Sequence, residues 1–299
     1  MNLYPFIEAE KVEQRNVRKA CVMLEVSRAA YYQWSTHIPS PHSRTDQTLT
    51  ARVERIHEDS RGTYGVPRVL AQLRRDGIRT GPRRVGRLMR ERGLVGRGRR
   101  RSRRTTIPDP EARTVAPDLL RRGFAPRQLP LNRAWVGDIT YVRTWEGWLY
   151  LATVIDLASR RVVGWAMAEH MRAELVCDAL CMAVEARGPA PGLIFHSDRG
   201  SQYTSADFQR LLASHQIQQS LSRPRQCWDN AVAESWFSTL KLELIYREPL
   251  ATRARARQAI FEFIEVFYNR RRLHSSLDYV TPAEYEVRKV GQPSPAQAA

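Results

Sequence analysis

The sequence predicts an α/β protein preceded by a small, strongly basic, all-helical region. Three observations carry that reading. Residues 61–104 hold sixteen Arg against two acids, Asp76 and Glu91, set among apolar residues at helical spacing. Residues 105–131 hold five prolines and little periodicity, as a linker does. From 134 to 245 the apolar patterns follow the order β-β-β-α-β-α-β-α, that of a sheet covered by helices.

The elements follow in order. "VRKACVMLEVSRAAYYQW" (17–34) reads as two short helices with a turn ending at Ser27, a suitable N-cap. Short helices, tight turns and outward Arg are features of helix-turn-helix DNA binders. Leu49, Val53 and Ile56 share one helical face, as do Val66, Val69, Leu70 and Leu73. Gly81-Pro82 opens a further helix around Val85, Leu88 and Met89, and Gly93 closes it. "RGRRRSRR" (97–104) repels itself and awaits phosphates.

"AWVGDITYV" (134–142), "WLYLATVID" (148–156) and "RVVGWAMAE" (161–169) predict an antiparallel meander with apolar residues on both faces. Leu175 to Ala183 form a helix, "GLIFHSD" (192–198) a strand, Phe208 to Leu212 a helix and "IQQSLS" (217–222) a short strand. A last helix of the sheet region runs from Asp229-Asn230 to about Ile245, and another is centred on Ile260, Phe261, Ile264 and Phe267. Trp135, Trp148, Trp165 and Trp236 are expected in the core.

A formal net charge of +17 and an isoelectric point near 10.4 point to a polyanionic partner, for which nucleic acid is the usual case. No apolar run reaches the length of a membrane span. The N-terminal residues lack the pattern of a signal peptide. Cys21, Cys177, Cys181 and Cys227 form no zinc-binding spacing. Cys177 and Cys181, four apart, share a helix face; they read as small core residues in a reducing cytosol, with a metal pair as the alternative.

Three acids stand out. Asp138 lies inside the first strand, Asp198 at the tip of the fourth, and Glu234 within the last helix of the sheet region. An unpaired charge inside a buried strand is costly. Should the first and fourth strands be neighbours, Asp138 and Asp198 can meet, and a helix crossing there can add Glu234. Such a cluster calls for cations, and carboxylate oxygens suit Mg²⁺ or Mn²⁺. Two such ions can flank a scissile phosphate. His196 is expected to support the site structurally, and His274 to pack or to touch phosphate.

Glu234 follows Asp198 with 35 residues between them. That spacing, with "WVGDITYV", "VIDLASRRVVGW", "HSDRGSQYTS", "SRPRQCWDNAVAESWFSTLKLE" and "YNRRRLHSSLDYVTPAEY", resembles the IS3-family insertion-sequence transposase, second reading frame. Residues 61–94 are similar to its helical DNA-binding region. The resemblance implies an RNase H-like, retroviral integrase-type core with a mixed five-stranded sheet. It implies cleavage of transposon ends and strand transfer by in-line attack of water or a 3′-hydroxyl, with Asp138, Asp198 and Glu234 as catalytic metal ligands for two ions. Lys241, two turns after Glu234, is implied to contact DNA.

Asn230, one turn before Glu234, can bond a carboxylate or DNA, or simply start the helix. Arg68, Arg83, Arg84, Arg87, Arg99, Arg100 and Arg101 are the remaining DNA-contact candidates, with phosphate as the default target. Implied partners are double-stranded DNA, further copies of the chain on that DNA, and an upstream-frame product, since no sustained heptad run occurs here. The implied setting is the bacterial cytoplasm and its nucleoid. The expected division is a helix-turn-helix-like segment (1–44), a basic helical DNA-binding domain (45–96), an Arg-rich and Pro-rich linker (97–131), the catalytic core (132–246), and a C-terminal helix with a basic tail (247–299). A non-catalytic DNA-binding regulator and a nuclease that cleaves without joining remain open readings of the residues alone.

Overall fold

The computed structural model of the chain describes residues 3–36, 41–98, 119, 129–222, 231–247 and 249–291. Arg99, Arg100, Arg101, Cys227 and Asn230 lie outside the described residues.

Three short helices, α1 (Tyr4–Val12), α2 (Val17–Met23) and α3 (Arg28–Ser35), close around buried Ile7, Cys21 and Tyr31. The patterns at 17–34 appear as α2 and α3. Asn16 caps α2, its side chain accepting from the N–H groups of Arg18 and Lys19. Ser27 holds the N-cap position of α3, but its side chain makes no capping bond. A second group follows: α4 (Pro41–Asp59), α5 (Val66–Arg75) and α6 (Pro82–Glu91). The expected apolar stripes meet in one cluster that includes Val53, Val69, Leu73 and Val85. Gly93, at φ +64°, turns the chain out of α6, a left-handed position that favours glycine.

The sheet contains β1 (Ala134–Thr144), β2 (Gly147–Asp156), β3 (Val162–Ala168), β4 (Ile194–Ser197) and β5 (Gln218–Leu221). Its order is β3-β2-β1-β4-β5. β1 is antiparallel to β2 and parallel to β4, so the sheet is mixed. Helices α7 (Ala173–Arg187) and α8 (Ala206–Ser214) belong to the cluster on one face, with Trp135, Ala152 and Val154. The other face carries Val136, Leu151 and Ile155. There α9 (Ala231–Leu240) packs and continues as a π-helical turn over Lys241–Ile245. So does α10 (Arg253–Glu262), which continues through Phe263–Tyr268 in the same way.

The chain beyond residue 247 shares that core: Ile260, Phe263, Ile264 and Phe267 join Val136 and Trp236 in one cluster. Where a basic tail was expected, α11 (Pro282–Val290) begins at a capping box between Thr281 and Glu284. The segment between α10 and α11 also receives the α4–α6 group. Leu273 enters the cluster of that group. Its N–H donates to the Tyr64 hydroxyl at 2.7 Å, and that hydroxyl donates to the Arg271 carbonyl at 3.2 Å.

Trp135 and Trp236 are buried and Trp165 is half-buried, but Trp148 is not a core residue. It is 45% exposed and packs edge-on against Tyr141. It stands at the start of β2 beside the β1–β2 turn, paired across the strands with Arg143. Among the described residues, no helix is long and apolar enough to cross a membrane.

Candidate active site

Side chains alternate between the faces of a strand. In β1, Ala134, Val136 and Val142 join the α9/α10 face, and Trp135 and Ile139 join the α7/α8 face. Asp138 shares the parity of Val136, so it points toward the face on which α9 packs, with Glu234 in the first turn of that helix. β4 lies beside β1 in parallel, Trp135 pairing with Phe195 and Val136 with His196. Asp198 follows directly after the last residue of β4. The neighbouring strands and the packed helix thereby bring the three acid-bearing segments together.

The electrostatics agree with that placement. Asp138 is half-buried, and its carboxyl is pushed up to about 7. Burial is the largest cause, and the negative charges of Asp198 and Glu234 add to it. The Ile139 N–H, which donates to Asp138 Oδ1 at 2.8 Å, and the Lys241 ammonium act the other way. Asp198 and Glu234 are exposed. Asp198 Oδ1 accepts from the Gly200 N–H at 3.0 Å. Lys241 lies 5.5 Å from the Tyr141 ring centroid. Among the described residues, no three His, Cys, Asp or Glu side chains are already gathered as a metal-ligand set.

Several supporting residues were not singled out by the sequence reading. Gly137 lies where a Cβ would come within 2.4 Å of Phe195 Cζ, so the chain next to Asp138 requires glycine. An isolated Gly within a strand pattern is the signal that points to such close approach. Tyr203 is buried, and its hydroxyl is held well above the usual tyrosine range by burial and then by Asp138 and Asp198. Thr153 is the cross-strand partner of Asp138, and its buried hydroxyl has no hydrogen-bond partner. His196 is buried between Ser220 Oγ at 2.8 Å and Ser222 Oγ at 3.2 Å, so it ties β4 to β5. His274 is buried edge-on against Tyr268, and burial holds its pKa well below the usual histidine range. It packs.

The arginines differ from one another. Arg68 turns inward, donating to the Leu273 carbonyl at 3.0 Å. Arg84 and Arg87 both bond Asp46, and Arg87 also reaches Glu91. Arg83 is exposed. Arg68 thus stands apart from the others as a docking residue, which its place in an Arg-rich helix did not reveal.

Residues 131–227 match the family model described as integrase core domain, and residues 215–282 match another with that description. Residues 44–103 match the HTH-like domain. The transposase InsF for insertion sequence IS3A of Escherichia coli (strain K12) is 38% identical over 286 residues, covering 95% of this chain and 98% of that protein. The transposase for insertion sequence element IS904 of Lactococcus lactis subsp. lactis (strain IL1403) is 40% identical over 248 residues, 83% of this chain and 97% of its own. The insertion element IS600 uncharacterized 31 kDa protein of Shigella sonnei is 41% identical over 265 residues, 89% and 96% of the two chains. The HTLV-2 integrase catalytic core domain, solved in complex with magnesium, is 19% identical at a TM-score of 0.40, covering 52% of this chain and 97% of that one. With its integrase core, its HTH-like domain and near-complete coverage of these relatives, the chain belongs to the IS3 family of insertion-sequence transposases.

Proposed function

We propose that Asp138, Asp198 and Glu234 form a divalent-cation site at which this transposase cleaves the ends of its element and joins them to target DNA. The observation that carries the reading is topological. β1 lies beside β4 and beneath α9, so the segments that carry these acids are neighbours although distant in sequence. The mutual repulsion felt at Asp138 supports it. Three carboxylates are a hard-oxygen donor set suited to Mg²⁺ or Mn²⁺. Asp198 and Glu234 are exposed, so solvent and cations can reach both carboxylates.

When bound, a pair of such ions would neutralise charge at the scissile phosphate and acidify the attacking oxygen. The chain's own residues supply the rest. β1 fixes Asp138 in the sheet, and the Ile139 N–H holds its carboxylate. Lys241 places a positive charge beside the acids, where it can hold a DNA phosphate. The reaction is an in-line displacement: a water or 3′-hydroxyl oxygen bonds to phosphorus as the phosphorus–O3′ bond breaks. The attacking oxygen loses a proton to solvent and the departing O3′ gains one. The exposed Arg83 and the Arg99–Arg101 run would hold duplex DNA through its phosphates, and pairing two element ends calls for more than one copy of the chain.

The test uses duplexes carrying the DNA that flanks the gene, with Mg²⁺ or with EDTA. Cleavage and joining are expected with Mg²⁺ only. Asp198→Asn should bind the same DNA and neither cleave nor join it. Normal cleavage by that variant would remove Asp198 from the site, and cleavage without joining to a supplied 3′-hydroxyl end would make the protein a nuclease.

A further inference from the structure

The HTH-like match starts at residue 44, so α1–α3 lie outside it. These helices form their own unit around Ile7, Cys21 and Tyr31, with the Tyr4 and Trp34 rings 5.7 Å apart. Four residues, Leu24 to Ser27, join α2 to α3. Glu25 within them is left-handed, at φ 53°, which turns the chain sharply between the two helices. Two short helices across such a turn, held by a third, is the arrangement that sets a recognition helix into the major groove.

The chemistry of the surface selects the ligand. On α3, Arg28, Ala29, Tyr32, Gln33 and Thr36 at its C-cap are exposed. At 100° per residue they fall within a sector of roughly 140°, while Tyr31 faces the small core. No acid occurs on α3. Arg18 and Lys19, in the first turn of α2, are exposed too. The acids of α1 are neutralised locally: Glu8 receives Lys11 and the Tyr31 hydroxyl, and Glu10 receives Arg15, which also pairs with Glu13. Glu25 is the lone acid between residues 14 and 36. Arg and Gln are side chains that bond base edges in two places at once, and Arg and Lys are phosphate ligands.

We propose that α1–α3 is a second DNA-reading unit of this chain, in which Arg28, Tyr32 and Gln33 on α3 read base edges in the major groove of duplex DNA and Arg18 and Lys19 on α2 grip the flanking phosphates. The unit deepens the transposase reading and rests on it for the source of the DNA: the bases read would be those of the element's own ends. One chain would then engage an end at two places, α3 at one and the α4–α6 group at the other.

The experiment is selection by the full chain from a pool of 30-base-pair duplexes with a randomised centre, in EDTA. The wild-type chain should enrich a motif. Arg28→Ala and Gln33→Ala should each lose ~10-fold or more of the preference at a short block of base pairs within it. Arg18→Ala with Lys19→Ala should keep the motif, weaken binding to every duplex, and lower the salt dependence by roughly two phosphates. All four residues are exposed, and near-ultraviolet dichroism from the Tyr4–Trp34 contact reports whether the unit stays folded. Enrichment of the same motif at the same strength by Arg28→Ala and Gln33→Ala would overturn the proposal. So would a wild-type pool with no enriched motif. The selection in EDTA reads binding alone, whereas the catalytic reading is judged by Mg²⁺-dependent cleavage of the same duplexes, so the two readings fail separately.

Discussion

Gly137→Ala places a single methyl at the point where β1 passes β4, one residue before Asp138. The added Cβ would sit 2.4 Å from Phe195 Cζ, 2.9 Å from Phe195 Cε1 and 3.3 Å from Tyr203 Cε1. A flexible side-chain end could swing clear, but this ring cannot. Phe195 is buried, with Phe208 at 5.3 Å and Tyr203 at 6.1 Å between ring centroids. Relief therefore requires β1 to lift from β4 or the aromatic cluster to repack. Overpacking of this kind costs about 1–3 kcal/mol. For a core of this size that lowers Tm by roughly 2–4 °C per kcal/mol, so a loss of about 2–12 °C is expected in a differential scanning calorimetry trace. The shift also moves Asp138 relative to Asp198, so Mg²⁺-dependent cleavage should fall by more than the folded fraction does. An unchanged Tm with full cleavage would refute the claim that this contact sets the β1–β4 spacing.

Three other outcomes follow from the same structure. The folded metal-free protein retains a proton on Asp138 that the unfolded chain has lost, between the ordinary Asp value of 3.8 and about 7. Stability measured by urea in EDTA should therefore fall as pH rises through that window and level off above about 7. Mg²⁺ and Asp198→Asn should each flatten the slope, and equal slopes with and without Mg²⁺ would contradict cation binding at Asp138. Arg272 and Glu243 form a buried bidentate pair, at 2.8 and 2.7 Å. Arg272→Met should cost about 3–5 kcal/mol by urea titration, and Arg272→Met with Glu243→Leu distinctly less; a double variant as unstable as the single one would discount the stranded carboxylate as the cause. Thr153→Val removes a buried hydroxyl that has no partner and should raise stability by about 1 kcal/mol. A loss of stability would mean that the hydroxyl bonds Asp138 in solution.

The strands and helices were legible because their periods are local. The 3.6-residue stripes at Val66 to Leu73 and the meander from 134 to 169 reappear as α5 and β1–β3. The three acids stood out because each breaks its local pattern or sits at the end of one. Other features gave no such signal. The π-helical turns after Leu240 and Glu262 depend on packing along whole helices, and sequence spacing alone placed Lys241 two ordinary turns from Glu234. Trp148 has the side chain of a core residue, yet at the turn end of β2 it stays exposed, edge-on to Tyr141. Arg68 reads as one more surface cation, but the segment around Leu273, some two hundred residues later, accepts its hydrogen bond.

By itself the sequence determined the element order, the excess of positive charge and its concentration before residue 105, and the 35-residue interval between Asp198 and Glu234. Only the tertiary structure decided that β4 lies against β1, that α9 covers the face to which Asp138 points, and that the chain after 247 receives both the sheet and the α4–α6 group. The reason is physical. Periodicity reports which face of an element is apolar, whereas strand neighbours and helix docking are chosen by long-range burial among faces that look alike in sequence.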